Sequence, residues 1–194
     1  TLHAGMAGMG RSASNHFLPA EPDPAADDFD WNMWLGPKPW RPFNAAYIKK
    51  WHDEYDYHGD LTEWGSHTLD LCQLVLGRAH TAPVRYTPVD AFTLHAAYAD
   101  GVKLVLRQKG FRNSCAVRFE GEEGWVETDD SGDLYVSSPT LLENRKVQSE
   151  SWMRPVAHPA EFIACVRSRQ TTSAPPDALH FTHVGCHAAT IAYH

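Results

Sequence analysis

The stretch GDLTEWGSHTLD, residues 59–70, has the most informative pattern in this sequence. It places Glu63, His67 and Asp70 at positions i, i+4 and i+7, which project from one face of an α-helix. Farther along the chain, Gly77 ends the apolar pattern as a helix C-cap does. Carboxylate and imidazole groups on one helical face are suited to proton transfer. The stretch therefore predicts a helix with candidate catalytic residues.

We expect this helix to run from about Thr62 to Leu76, with Thr62 or Asp60 as its cap. Apolar side chains at helical spacing predict its buried stripe. They are Trp64, Leu71, Cys72 and Val75. A surface pair of Glu63 and His67 would explain the i, i+4 spacing without catalysis. The aromatic residues that precede the helix favour a cleft wall, because aromatic rings commonly line small-molecule pockets.

Candidate substrate-binding residues are aromatic and imidazole side chains that precede this helix. They are Trp31, Trp34, Trp51, Tyr55, Tyr57 and His58. The acids and histidines between residues 52 and 60 could also be ligands for Zn²⁺ or Mn²⁺. Their spacing matches no helical metal motif such as HExxH, so we expect a solvated polar loop and no metal site.

The remaining pattern predicts strands grouped between helices. Ala99-Asp100-Gly101 is a hairpin signal between two alternating segments. The predicted strands cover 93–98, 102–108, 114–120, 124–128 and 133–137, and the later helices cover 159–168 and 177–194. This grouping indicates an α+β fold, a large and mostly antiparallel sheet with helices on one face.

The start of the chain is rich in Gly, Ser, Pro and Asp. We interpret residues 1–29 as a short strand or loop and an extended linker, and residues 30–194 as the α+β domain. Gly5, Gly8 and Gly10 have the spacing GxxGxG, which differs from the dinucleotide fingerprint GxGxxG. Both ends of the chain look interrupted, because there is no initial Met and no stop signal after the last helical pattern.

Composition excludes several functional classes. The 194 residues have a formal net charge of −7 and no basic run, which argues against binding nucleic acid. No apolar stretch has the length of a membrane span, so we expect no membrane partner. The four cysteines form no CxxC pair and are expected to be buried free thiols in a reducing compartment.

Three histidines recur in the last predicted helix. His180, His183 and His187 stand at i, i+3 and i+7, a stripe that could bind metal or substrate. A half-buried packing face is the interpretation that we favour.

Three ordered motifs resemble the Gfo/Idh/MocA family of glucose-fructose oxidoreductases and inositol dehydrogenases. Asp30–Pro37 with Trp40-Arg41-Pro42 is similar to its DWDxWLGP and RP segment. Leu61–Asp70 is similar to its LxDWGxHxxD helix, and His158–Arg169 to its HxxDFxxCVRSR helix. The last helix resembles the start of a further family helix.

This resemblance implies the second, α+β domain of an NAD(P)-dependent oxidoreductase acting on the carbinol of a sugar or polyol. The family's Rossmann domain, which binds NAD or NADP, and its catalytic lysine motif are absent from these residues. His67 matches the family's acid/base, Glu63 stands at a position usually held by Asp, and Asp70 matches an acid that we assign an orienting or structural role. We expect a homo-oligomer formed through the sheet and a cytoplasmic location.

Two other functions are left open at this point. Some family members oxidise a sugar transiently to break a glycosidic bond. A domain that stands alone would instead be a non-catalytic carbohydrate-binding or assembly module. An exported form is also left open, because a targeting segment could precede Thr1.

Overall fold

The computed structural model describes residues 1–6, 9, 17–25, 27–49, 59–146 and 156–194. Within these ranges the strands are β1 (Leu2–Gly5), β2 (Arg85–Asp90), β3 (Thr93–Ala97), β4 (Lys103–Arg107), β5 (Val117–Glu120), β6 (Trp125–Thr128) and β7 (Leu134–Val136). The helices are α1 (Trp31–Leu35), α2 (Ala45–Lys49), α3 (Gly59–Val75), α4 (Ala157–Ser168) and α5 (Pro176–Tyr193), with a 3-10 helix at Pro139–Leu142.

The strands form one seven-stranded sheet in the order β2-β3-β4-β1-β5-β6-β7. Every neighbouring pair is antiparallel except β1 and β4, which are parallel. The hairpin predicted around Asp100 joins β3 to β4, and Gly101 there adopts a positive φ of 87°. The expected meander of β5, β6 and β7 is also confirmed.

Two strands differ from the sequence prediction. β1 matches the short strand expected at the start of the chain, but its place at the centre of the sheet was not predicted. Its four residues are too few to show an alternating pattern. β2 was not predicted, because it is an edge strand with mostly exposed side chains and contains Pro88.

One face of the sheet is covered by α3 and α5. Leu2 and Ala4 of β1 point into this layer, together with the even-numbered residues of β3 and β4. On the helices, Leu69 and Cys186 are fully buried against them. This layer contains the main hydrophobic core and confirms the α+β prediction of a mostly antiparallel sheet with helices on one face.

The opposite face of the sheet is polar. One row of paired residues crosses all seven strands. It consists of Thr87, His95, Val105, His3, Arg118, Glu127 and Tyr135. Glu127 is only 1% exposed and accepts hydrogen bonds from Arg118 Nε at 2.9 Å and from the Arg112 backbone N–H at 3.0 Å. The loop that contains Arg112 therefore folds over this end of the face.

A smaller cluster packs around α1 and α2, and we call it the aromatic cluster. Its buried residues are Trp31, Leu35 and Tyr47, and Leu18, Phe29, Trp34, Phe43 and Ile48 pack against them. The extended segment at residues 17–25 is tied to α2, because Glu21 accepts from the Ala45 N–H and the Tyr47 hydroxyl accepts from the Leu18 N–H. Short helices thus replace part of the loop that the prolines predict.

The predicted helices are present with shifted bounds. α3 begins at Gly59, so Thr62 lies inside the helix, is 5% exposed and does not cap it. The C-terminal prediction is confirmed: Gly77 has a φ of 66° and the Arg78 N–H donates to the Gln73 carbonyl at 2.7 Å. α4 begins two residues earlier than predicted, since Pro159 is tolerated in a first helical turn.

Candidate functional site

Close packing holds α3 on the sheet and on α5. A Cβ atom at Gly65 would lie 2.5 Å from Met6 Sδ, and one at Gly185 would lie 2.6 Å from Leu69 Cδ2. Both distances are shorter than real side chains allow, so these glycines permit the approach of β1 and of α5 to the helix. The position of α3 is therefore set by contacts on two sides.

Three side-chain hydrogen bonds fix the same helix along its length. Thr68 Oγ1 donates to the Gly5 carbonyl at 2.9 Å, at the end of β1. Gln73 Nε2 donates to the Thr81 carbonyl at 2.9 Å. Asp70 Oδ1 accepts from Thr182 Oγ1 of α5, also at 2.9 Å. A helix held at three points presents its outer side chains from a rigid element.

The buried stripe of α3 differs from the one predicted. Leu61, Gly65, Thr68, Leu69 and Cys72 are buried. By contrast, the predicted core members Trp64 and Val75 are 38% and 58% exposed. The small residues Gly65 and Thr68 take the buried positions because the neighbouring elements approach so closely, and pattern recognition based on large apolar side chains misses this.

The two predicted catalytic residues lie away from this buried stripe. His67 is exposed and Glu63, one turn earlier, is half-buried. The Trp64 and His67 rings have centroids 6.1 Å apart, so an accessible indole stands beside the imidazole. Asp70 occupies the same side of the helix but contacts Thr182, and its described hydrogen bond therefore joins two helices.

The candidate aromatic residues have different environments. Trp31 is 6% exposed, and its Nε1 donates to the Arg41 carbonyl at 2.8 Å. The half-buried Trp34 stacks on Trp31 with a centroid distance of 4.8 Å. Trp31 is thus mainly a packing residue of the aromatic cluster, and its predicted contact with a substrate stays a prediction. Trp51, Tyr55, Tyr57 and His58 lie outside the described residues.

The histidine stripe of α5 is half-buried at two of its three positions. Burial lowers the pKa of His183 and of His187, and for His187 the charges of His183 and Lys38 act in the same direction. Their rings are 5.9 Å apart. His180 is exposed and its ring meets Phe181 edge to face.

Sequence reasoning missed two features. Trp40 is 68% exposed although the next residue, Arg41, is only 7% exposed, and Pro39 and Pro42 near it were a usable signal of an exposed loop. The second feature is the ion pair of Glu127 with Arg118, whose guanidinium carbon also lies 4.4 Å from the Trp125 ring centroid. The sequence contains no signal for this pair. It depends on register between strands, which a single sequence does not reveal.

The described residues do not form a dinucleotide cradle. A Cβ at Gly5 would lie 2.8 Å from the Ala116 carbonyl oxygen, so this glycine packs against a neighbouring backbone. Met6 and Met9 are buried in the main core. In a phosphate-binding turn the backbone N–H groups after the strand face the ligand. The segment after β1 therefore does not fit NAD or NADP where it is described.

Other kinds of site find little support in the structure. In the described ranges, no group of three or more His, Cys, Asp or Glu side chains is arranged to hold a metal ion. No helix among the same residues is both long enough and apolar enough to cross a membrane. These findings leave the outer side of α3 and the surfaces near it as the main candidate.

Comparison with known proteins agrees with this architecture. A family model described as the C-terminal alpha/beta domain of an oxidoreductase family, Gfo/Idh/MocA, matches residues 13–189. The chain belongs to this family. No curated protein and no solved structure gives a significant match. A Gfo/Idh/MocA domain of this kind is part of an oxidoreductase, and that is the level of function which the family assigns.

In chemical terms, this Gfo/Idh/MocA domain offers proton transfer on a rigid support. An exposed imidazole, a carboxylate one turn away and an accessible indole occur together on α3. Imidazole and carboxylate groups exchange protons with a bound hydroxyl, and an aromatic ring provides an apolar surface for its carbon skeleton.

Proposed function

We propose that this domain is the substrate-binding half of an NAD(P)-dependent oxidoreductase that acts on a carbinol of a sugar or polyol, with His67 as the acid/base. The observation that carries the proposal is the placement of His67. Its imidazole is accessible on a helix whose other side is fixed to β1 and α5. A proton-transfer group needs this combination of access and fixed orientation.

The residues of this chain handle the proton and the substrate. A ring nitrogen of His67 accepts the proton of the substrate hydroxyl, and Glu63 is placed one turn earlier to orient the ring or a neighbouring hydroxyl. Asp70 contributes by tying α3 to α5 through Thr182. NAD or NADP supplies the hydride chemistry in such enzymes, and its binding belongs to a domain outside these residues.

Kinetics of the full-length protein that contains this domain test the proposal. With a panel of polyols and sugars and either NAD⁺ or NADP⁺, we expect His67→Ala to lower kcat about 10²-fold or more. His80→Ala is the matched control, because His80 is exposed in the segment after α3 and belongs neither to the proposed site nor to the polar face of the sheet. Equal turnover of the His67 variant and the wild type would remove His67 from the reaction.

The same assay separates the glycoside-cleaving alternative. A dehydrogenase accumulates reduced cofactor in step with oxidised substrate. Release of a free sugar from a glycoside without net reduced cofactor, and loss of that release in His67→Ala, would instead show that the oxidation is transient. Sugar binding without any turnover or nicotinamide binding would favour the non-catalytic module.

We also propose that the polar face of the sheet joins two copies of the chain. Its β2–β4 half presents Arg85, His95 and Lys103, whereas the exposed carboxylates of Glu120 and Glu122 lie on β5 and directly after it, beyond the central strand β1. A two-fold axis through the middle of this face would bring the basic side chains of one copy toward these carboxylates of the other.

Sedimentation velocity tests this assembly. The wild type is expected to sediment as a dimer or larger oligomer, and Lys103→Glu should shift it toward the monomer while the far-UV circular dichroism stays unchanged. Lys49→Glu on α2 is the control with the same charge change. A wild type that is monomeric at tens of micromolar concentration refutes the proposal.

A further inference from the structure

A recess of about 370 Å³ opens on the aromatic cluster, and no residue of α3 lines it. It is lined by three rings, two carboxylates, one amide and one proline, and by no basic side chain. These residues are Asp23, Pro24, Phe29, Asp30, Trp31, Asn32 and Trp40. The combination of rings with hydrogen-bonding groups is typical of small-molecule sites.

Trp40 provides the free aromatic surface of this recess. Its side chain is 68% exposed, whereas Trp31 is 6% exposed and is covered by Trp34 and Phe43, with ring centroids at 4.8 and 5.2 Å. A ligand that enters the recess can therefore stack on Trp40 and meets only the edge of Trp31.

The backbone around Trp40 is anchored. The next residue, Arg41, is 7% exposed, its carbonyl accepts from Trp31 Nε1 and its guanidinium lies 3.8 Å from the Tyr47 ring centroid. Pro39 and Pro42 restrict the dihedral angles on either side. The exposed indole is thus presented by a loop that is fixed from below, which reduces the entropy lost when a ligand binds.

Polar groups at the rim are available. Asp30 uses Oδ1 to accept from the Met33 N–H at 2.9 Å. The side chains of Asp23 and Asn32 line the recess and make no hydrogen bond to the residues that the structure describes. A carboxylate offers acceptors and a carboxamide offers both donors and acceptors.

These groups match the chemistry of a pyranose ring. Such a ring has an apolar face of C–H groups, which stacks on an indole, and a rim of hydroxyls, which bind carboxylate and amide groups. An organic cation would also be attracted to an indole beside carboxylates. Cation sites of that type surround the ligand with several ring faces, whereas in this recess Trp31 is 6% exposed and Phe29 is half-buried, so Trp40 is the one exposed ring among its described residues.

We infer that the recess between Asp23, Asn32 and Trp40 is a second carbohydrate-binding site, which holds a neutral pyranose unit stacked on Trp40. The site lies on the aromatic cluster and uses none of the residues proposed for proton transfer, so the test of this site does not depend on the role of His67.

Saturation-transfer NMR with cellotriose, maltotriose and mannotriose tests the inference on the whole chain. At least one trisaccharide is expected to bind, with the strongest transfer to one pyranose ring. Trp40→Ala should weaken this binding about tenfold or more, and Trp40→Phe should restore part of it. Because Trp40 is exposed, truncation is not expected to unfold the protein, which circular dichroism can check.

Two control variants make the result specific. Met33→Ala removes a side chain that is 80% exposed in α1 but does not line the recess, and it should leave Kd unchanged. Phe17→Ala removes another exposed ring (84% exposed) that does not line the recess, and it should also leave Kd unchanged. The inference is overturned if none of the three trisaccharides binds, if Trp40→Ala binds them equally well, or if choline binds through Trp40 and the sugars do not.

Discussion

Replacing Gly185 by alanine tests whether the contact of α5 with α3 positions the candidate site. The added Cβ would lie 2.6 Å from Leu69 Cδ2, and Leu69 is fully buried in the main core. The methyl group therefore requires the Leu69 side chain or one of the two helices to shift. Inserting one carbon into a packed core costs about 1–3 kcal/mol, whereas Gly→Ala inside a helix gains about 1 kcal/mol in helix propensity.

These terms predict a net loss of about 1 kcal/mol in the free energy of unfolding for Gly185→Ala. A double-mutant cycle with Leu69→Ala separates them. Leu69→Ala alone should cost about 2–5 kcal/mol, because it leaves a cavity. In that background the methyl group added at position 185 enters the vacated space, so Gly185→Ala should stabilise the protein by about 1 kcal/mol, a coupling of about 2 kcal/mol.

Urea unfolding followed by circular dichroism at 222 nm measures all four variants. Agreement with tryptophan fluorescence checks that the transition is two-state. The reasoning is refuted if Gly185→Ala stabilises the wild-type protein by about 1 kcal/mol, since the methyl group would then meet no obstruction. Additive effects of the two substitutions would equally show that Gly185 and Leu69 are not in contact.

Three further outcomes follow from the described contacts. Glu127→Ala should lower the free energy of unfolding, measured in urea, by about 2–3 kcal/mol. This loss is smaller than the 3–5 kcal/mol expected for a fully buried ion pair, because Arg118 is partly exposed, and a loss under 0.5 kcal/mol would contradict the prediction. Burial lowers the pKa of His3 despite its contact with Glu120, so the unfolded chain binds a proton at a higher pH than the folded chain does. The free energy of unfolding should therefore decrease as pH falls below about 6.5, and His3→Gln should make it less dependent on pH in that range. Burial raises the pKa of the Cys72 thiol to about 12, so it should resist Ellman's reagent at pH 8 until denaturant is added.

The sequence predicts those parts of the fold whose signals are local. Gly77 ends α3 and Gly101 makes the β3–β4 turn, because positive φ angles require glycine at these points. Alternation along β4 to β7 predicts the meander. β1 is central only because β4 and β5 pair with both of its edges, a relation between residues about 100 positions apart.

The candidate site was predicted with mixed success for a similar reason. Exposure of His67 follows from helical spacing, and the structure agrees with it. The burial of Trp31 and the exposure of Trp40 do not follow from spacing, because both are tryptophans within one proline-rich segment. Which ring is covered depends on Phe43, which precedes α2, and on Tyr47 within α2, because both pack against Trp31.

The packing of α3 also explains why the sequence places small residues beside its functional ones. Gly65 stands between Glu63 and His67, and Thr68 follows directly. The two small side chains let β1 approach so that Thr68 Oγ1 reaches the Gly5 carbonyl. A Cβ at position 65 would lie 2.5 Å from Met6 Sδ, so a larger residue there requires the buried Met6 side chain or the helix to shift, and a shift of the helix would move Glu63 and His67 with it. Because displacements near 1 Å can lower turnover about 10²-fold, Gly65 should affect kcat without contacting substrate.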